Sequence, residues 1–382
     1  MFIEWLVVKF MLYNIKAEKY DERLGFAFFL AIFVLLYGVM NYFVLSEYTH
    51  LFGFDKNYIF YFVLVVLTLS YGIAAGLNIS TNNHWFKAIY LTASTWMGVL
   101  FLSFSAILIY LIINKIVPLN ATIAGIIIVC FVMLATIYSM INAERLSVKE
   151  LNVYNDKKAN LRIVQISDLH IGPINGEKYL KRVVDKVNSL KPDVVLITGD
   201  LIDGRYKYKK ELFNTLNELH AKTYFINGNH EVYAGLEYSR ELLKGTGIQW
   251  LDDEVVDFKG INIIGIGDTA RKHALKEKLY ALHMNASLDG KYNLLMTHRP
   301  RGWEDASKYV DMMVCGHTHA GQIWPFIYLS WLEGHASRGV YRMKGNEHFM
   351  LYVNSGTGTW GPPMRLGSHT EITVFNLKAR NA

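Results

Sequence analysis

Apolar residues crowd the first third of the chain into four long runs, Leu24–Leu45, Tyr58–Leu77, Ala88–Ile113 and Leu119–Ile141. Each meets the roughly 20 residues that cross about 30 Å of hydrocarbon at about 1.5 Å per residue. Backbone groups in lipid must bond within their own segment, so each run predicts a helix. Beyond residue 160 the pattern changes. Short β-rich runs alternate with helical spacing: Leu161–Ser167, a helix at Glu177–Leu190 with Tyr179, Leu180, Val183, Val184 and Val187 apolar, Val194–Thr198, a helix at Lys209–His220, then Thr223–Ile226. Further strands are predicted at Glu254–Phe258, Asn262–Ile266, Asn293–Thr297, Asp311–Cys315, Phe349–Val353 and Glu371–Phe375. This order predicts an all-α bundle of four transmembrane helices, followed by a layered α/β domain with mixed sheets, helices outside and one antiparallel half.

Charge sharpens the boundary. The 382 residues carry 39 Lys+Arg and 33 Asp+Glu, a net +6. Residues 24–143 hold only five of these charges (Glu47, Asp55, Lys56, Lys87 and Lys115), whereas residues 1–23 hold eight. The layout expected is therefore an interfacial segment at 1–23, a membrane module at 24–143, a polar connector with a candidate first strand at 144–160, and a soluble domain at 161–382. Met1–Ile15 is apolar but contains Glu4 and Lys9, which suits a helix lying along the bilayer surface. A net +6 without a basic run gives no expectation of nucleic-acid binding. The two cysteines, Cys130 and Cys315, exclude a disulfide framework and a Cys-rich zinc site.

Lys9, Lys16, Lys19 and Arg23 precede the first span, and Arg145, Lys149, Lys157 and Lys158 follow the last. Four spans put both basic ends on one side. The positive-inside rule then predicts a multi-pass plasma (inner) membrane protein with its C-terminal domain in the cytoplasm. No Asp, Glu, Lys or Arg lies mid-span, which disfavours a transport path and leaves an anchor, or a device that presents a lipid.

Each apolar run of the soluble part ends in a polar cluster. In order these are Ser-Asp168-Leu-His170, Gly-Asp200-Leu-Ile-Asp203, Gly-Asn229-His230-Glu231, Thr-His298-Arg-Pro and Gly-His317-Thr-His319-Ala-Gly-Gln. Ligands of open α/β sheets bind beyond the carboxyl ends of strands. Two carboxylates, an amide oxygen and four imidazoles at five such ends suffice for two divalent ions with open positions.

This ordered set resembles the calcineurin-like metallophosphoesterase superfamily from about Leu161 to Leu377, with every element of its signature present. The resemblance implies two ions, of Mn, Fe, Zn or Mg. Asp168, His170 and His319 would hold the first, and Asn229, His298 and His317 the second. Asp200 would bridge both, and His230 would be a catalytic histidine that is not a ligand. The run His-Thr-His-Ala-Gly-Gln further resembles a bacterial subgroup of membrane-associated phosphodiesterases, some of which cleave UDP-2,3-diacylglucosamine. Only Asp168 and Asp200 set negative charge against two divalent cations, so such a centre keeps a positive surplus for a phosphodiester. The expectation is hydrolysis of a phosphodiester or pyrophosphate bond in a lipid or lipid precursor, by hydroxide activated on metal, with His230 aiding the leaving group. The alternatives are a membrane-anchored phosphatase or nucleotide phosphodiesterase with a soluble substrate, and a non-catalytic membrane sensor on the same fold.

Four residues are candidates for supporting roles. Asp203 would orient His230 or Asn229. Arg299, and Arg301 near it, would meet a second phosphate. Arg365, in the Gly-rich run from Asn354, would contact an anion. Trp324 opens an aromatic run to Leu332 that would dip into the membrane interface as a flap. Tyr206–Lys210 reads as a solvated helix start.

Overall fold

The structure is a computed structural model that describes residues 19–80, 83–204, 206–268, 274–285, 288, 290–328 and 336–380. The surface helix expected at Met1–Ile15 lies outside the described residues, as does the end of the aromatic run from residue 329 to 332. The chain forms two compact units, residues 1–142 with 361–366, and residues 143–360 with 367–382.

Among the described residues the first unit has four helices: α1 (Lys19–Phe52), α2 (Tyr58–Ser80), α3 (His84–Ile116) and α4 (Ala121–Ala143). All four are long and apolar enough to cross a membrane. Their exposure pattern is inverted relative to a soluble bundle. Leu35, Phe62, Ile112 and Leu134 face outward, while Asn41, Ser94, Ser103 and Ser139 are buried. Polar groups placed inward find each other, as lipid demands. Trp96 Nε1 donates to Asn41 Oδ1 at 3.0 Å, and Tyr48 Oη to Ser103 Oγ at 3.1 Å.

Residues 361–366 count with these helices. Arg365 N donates to the Ser139 carbonyl at 2.9 Å, and Asn142 Nδ2 donates to the Arg365 carbonyl at 2.9 Å. Gly98 leaves room for Met364, because a Cβ there would lie 2.4 Å from the Met364 sulfur. Arg365 is wholly buried.

The second unit carries two six-stranded sheets. The first has the order β1-β12-β2-β3-β4-β5, with β1 at Leu146–Asn155, β2 at Leu161–Ile166, β3 at Val194–Thr198, β4 at Lys222–Ile226, β5 at Ile248–Trp250 and β12 at Thr370–Ala379. The second runs β10-β11-β9-β8-β7-β6, with β6 at Glu254–Phe258, β7 at Ile261–Gly265, β8 at Tyr292–Met296, β9 at Met312–Cys315, β10 at Gly339–Met343 and β11 at Asn346–Val353. Ile163, Leu196 and Phe375 of the first sheet meet Leu294, Val314 and Tyr352 of the second in one core between them. Helix α5 (Glu177–Ser189) covers the outer face of the first sheet through Leu180, Val183 and Val187. The outer face of the second sheet packs on Leu279 of α8 (Ala274–Asn285). The result is four layers, with helices outside.

One expectation needs correction. Among the described residues there is no antiparallel half: only β12–β2, β6–β7 and β10–β11 pair antiparallel, and the other pairings are parallel. The candidate first strand inside 144–160 is present as β1, all ten of whose residues pair with β12. In the Tyr206–Lys210 run the lysines are exposed, as a solvated helix start requires, while Tyr206 is buried and Tyr208 Oη donates to the Ile171 carbonyl at 2.8 Å; the helix that follows at Lys210–Glu218 is 3-10.

Candidate metal centre

Five parallel strands end on the same side and deliver the polar clusters to one place. Asp168 and His170 follow β2, Asp200 follows β3, and Asn229 follows β4 in the first sheet; His298 follows β8, and His317 and His319 follow β9 in the second. Backbone bonds lock adjacent loops. Asp168 N donates to the Gly199 carbonyl and His170 N to the Asp200 carbonyl, both at 3.0 Å. The two sheets are joined at the site when His317 N donates to Asp168 Oδ1 at 2.9 Å.

These loops are strained. Asp168, His170, Asp200, His317 and His319 have φ of 54°, 46°, 51°, 73° and 49°, in the left-handed region. Each costs on the order of 1–3 kcal/mol and persists only where surrounding bonds over-determine it. Gly199 and Gly316 make the crowding feasible. A Cβ on Gly199 would sit 2.6 Å from His298 Nδ1, and one on Gly316 would sit 2.1 Å from Asp168 Oδ2.

The donor atoms gather in two overlapping sets. In the first, His170 Nε2 lies 3.0 Å from His319 Nε2, and His319 Nε2 lies 3.7 Å from Asp168 Oδ1. In the second, His298 Nε2 lies 3.0 Å from Asn229 Oδ1 and 3.2 Å from His317 Nδ1. Asp200 Oδ2 reaches both, at 3.8 Å from His170 Nε2 and 3.2 Å from His298 Nε2. Two nitrogens bound to one ion at about 2.1 Å stand roughly 3.0–3.4 Å apart, so the spacing fits a pair of cations. The chemistry fits as well. His298 Nδ1 faces the Thr198 carbonyl at 2.9 Å, which makes Nδ1 the donor and leaves the Nε2 lone pair aimed at other acceptors. Only a proton or a cation can hold such atoms together.

The electrostatics say the same. Burial alone would push the His298 imidazolium down, but Asp200 and Asp168 outweigh it and hold its pKa up to about 10. Burial would raise the Asp200 carboxyl, yet His298 and His230 bring it well below the usual carboxylate range. In the metal-free chain a proton on His298 stands where a cation would. That pair stabilises the fold in full below the unfolded imidazole value of about 6.5 and loses its contribution as pH rises through about 10. Metal must expel this proton. Calorimetric titration of Mn²⁺ in buffers of differing ionisation heat should therefore report release of about one proton at pH 7, with affinity falling up to about tenfold per unit as pH drops. Proton-neutral uptake would refute the assignment of His298.

The structure also places the predicted supporting residues. Asp203 Oδ1 is 3.2 Å from His170 Nδ1 and 3.8 Å from His230 Nδ1, beside a candidate ligand and the candidate catalytic ring. The His230 ring stands perpendicular to that of His170 at 4.5 Å, with its Nε2 4.0 Å from Asp200 Oδ2. Arg299 is buried, its Nε donating to Asp268 Oδ1 at 2.8 Å and its Nη1 lying 3.2 Å from His317 Nε2. Trp324 sits on an exposed turn facing Gly367. Sequence reading missed Glu231. Its carboxylate accepts from Gly228 N at 2.7 Å and from Asp200 N and Ile202 N at 3.0 Å, clamping two ligand loops. The signal was there: a Glu two residues past Asn229 is placed to cap a helix opening at that Asn.

A four-layer α/β domain with a dinuclear donor set at its strand ends defines a metal-dependent phosphoesterase. Residues 161–321 match the family model described as calcineurin-like phosphoesterase. An uncharacterized metallophosphoesterase of Campylobacter jejuni is 29% identical over 93% of this chain and 99% of its own. One from Aquifex aeolicus is 30% identical over 64% of this chain and 96% of its own. A Danio rerio protein described as a transmembrane protein with metallophosphoesterase domain is 34% identical over 57% of this chain and 53% of its own. The chain belongs to the calcineurin-like metallophosphoesterases, and with its four apolar helices it is a membrane protein.

Proposed function

We propose that this protein hydrolyses phosphodiester or pyrophosphate bonds in a membrane lipid or lipid precursor, with its catalytic unit on the cytoplasmic face of the plasma membrane. The observation that carries the reading is the donor set. Seven side chains converge with only two carboxylates among them, so a loaded centre stays electropositive and draws a phosphodiester anion. The lipid half rests on the fusion of that centre to four apolar helices with no charge mid-span. Lys19 and Arg23 ahead of the first apolar span, and Arg145 and Lys149 after the last, support the orientation.

Two divalent ions supply electrophilic polarisation of the phosphoryl oxygens and acidify a water. The chain supplies the rest. Asp200 Oδ2 ties the two donor sets into one array. Asp203, near Nδ1 of both His170 and His230, orients the two rings. His230 Nε2 then delivers a proton to the departing oxygen. The full chain in lipid bilayers, loaded with Mn²⁺, should turn over lipid phosphodiesters at least about tenfold faster in kcat/KM than soluble nucleotide diesters. Preference for the soluble diesters would transfer the assignment to an anchored nucleotide phosphodiesterase.

A further inference from the structure

We infer that Trp360 and Tyr233 form a subsite for the leaving group, built for an uncharged alcohol with a ring or hydrocarbon body next to its ester oxygen. The inference rests on the phosphoesterase reading and adds a direction to the substrate. Tyr233 lies on α6 (Asn229–Ala234), three residues after His230, and its ring centroid is 5.5 Å from that of His230. The Trp360 ring stands 6.1 Å from His230, nearly perpendicular at 76°. Tyr233 is 37% exposed and Trp360 is half-buried, so both rings present surface to an incoming molecule.

Trp360 is held by more than chance packing. Gln322 accepts from Trp360 N with Oε1 and donates to the Trp360 carbonyl with Nε2, both at 2.9 Å. The run before it is pinned to the first metal loop, with Thr357 N donating to the Ser167 carbonyl at 2.7 Å and Gly358 N to the Asp168 carbonyl at 2.9 Å. A Cβ on Gly358 would lie 2.2 Å from the Leu169 carbonyl oxygen, so only glycine lets the run come this close. An aromatic ring whose backbone is fixed by bonds to the catalytic loops is preorganised for contact.

The array is polar end to end. His230 and its aromatic neighbours stand beside His170 of the first donor set. Arg299, a cation paired through Nε with Asp268, stands beside His317 of the second with its Nη1 3.2 Å from His317 Nε2. A substrate lying along the array has its departing oxygen at His230, its departing body on Trp360 and Tyr233, and its retained anionic part toward Arg299. Ring and hydrocarbon groups are matched to aromatic faces, and an anion is not.

The test compares leaving groups at constant retained group, using Mn²⁺-loaded full-length protein. Methyl 4-nitrophenyl phosphate carries a flat leaving ring, and methyl hexafluoroisopropyl phosphate a compact alkyl one. In Trp360→Ala and Tyr233→Ala, KM for the aryl ester should rise about tenfold more than KM for the alkyl ester, with Trp360→Phe recovering most of the difference. Free 4-nitrophenol should compete with the aryl ester, and its inhibition constant should rise in parallel. Equal losses on both esters, or phenol inhibition unchanged in Trp360→Ala, would overturn the subsite while leaving the hydrolase reading intact. A wild-type protein that cleaves neither diester but does cleave 4-nitrophenyl phosphate would count against the diester reading, and the Trp360 effect would then be read on that monoester. A wild type inert on all three, with phenol inhibition absent, would overturn both.

Discussion

Asp200→Asn should lose at least about 10³-fold in kcat/KM, roughly 4 kcal/mol of barrier, and retain less than its full complement of two metal ions. Among the described residues, Asp200 is the side chain with one atom near both donor sets. Oδ2 serves both, while Oδ1 accepts the His230 N–H at 2.9 Å. An amide cannot satisfy both positions. With its oxygen toward His230 N, its NH₂ points at the place for cations; flipped, it sets two N–H donors against each other. Elemental analysis of the purified variant, alongside steady-state kinetics, checks this. Two bound ions in Asp200→Asn would remove Asp200 from its bridging role. The metal-free fold should lose stability as well, because the substitution removes the partner of the buried His298 imidazolium.

His230→Ala should lose about 10²–10⁴-fold in kcat and keep both ions. Its Nε2 approaches the shared carboxylate only to 4.0 Å, and the ring meets His170 edge to face. It could be mistaken for a ligand, since His170, Asp200 and His230 also lie close enough to hold an ion. Metal content separates the two roles. A proton donor also carries a leaving-group signature: the loss should be larger for esters of weakly acidic alcohols, which need the proton, than for 4-nitrophenyl esters, which do not. A uniform loss with one ion missing would make His230 a ligand.

Much of this site could be read from the chain because each piece is local. A buried strand is a short apolar run, and the residues just past it are the ones presented at the sheet edge, so Asp168-Leu-His170 or His317-Thr-His319 announces its own position. What joins the pieces is not local. Val194–Ile197 is apolar throughout, as a strand buried on both faces must be, and nothing in such a run names its neighbours. Division into two sheets, and the pairing of β1 with β12 more than 200 residues away, were therefore hidden. The burial of Arg365 was hidden for a related reason: only its tertiary backbone contacts with Ser139 and Asn142 reveal it. Asp203 and Arg299 were recognisable as polar and near the site, but their targets, His170 and His317, depended on loop geometry.

The seat of Met364 and Arg365 among the helices bears on how this enzyme can be cut down. A fragment beginning at Leu151 bisects β1 and strips both side chains of their surroundings. The loosened loop begins one residue after Trp360, whose backbone Gln322 holds. Inactivity of a truncated, water-soluble product would thus report a damaged loop as readily as a missing bilayer. Detergent-solubilised intact chain, compared before and after return to vesicles, separates the two causes without surgery.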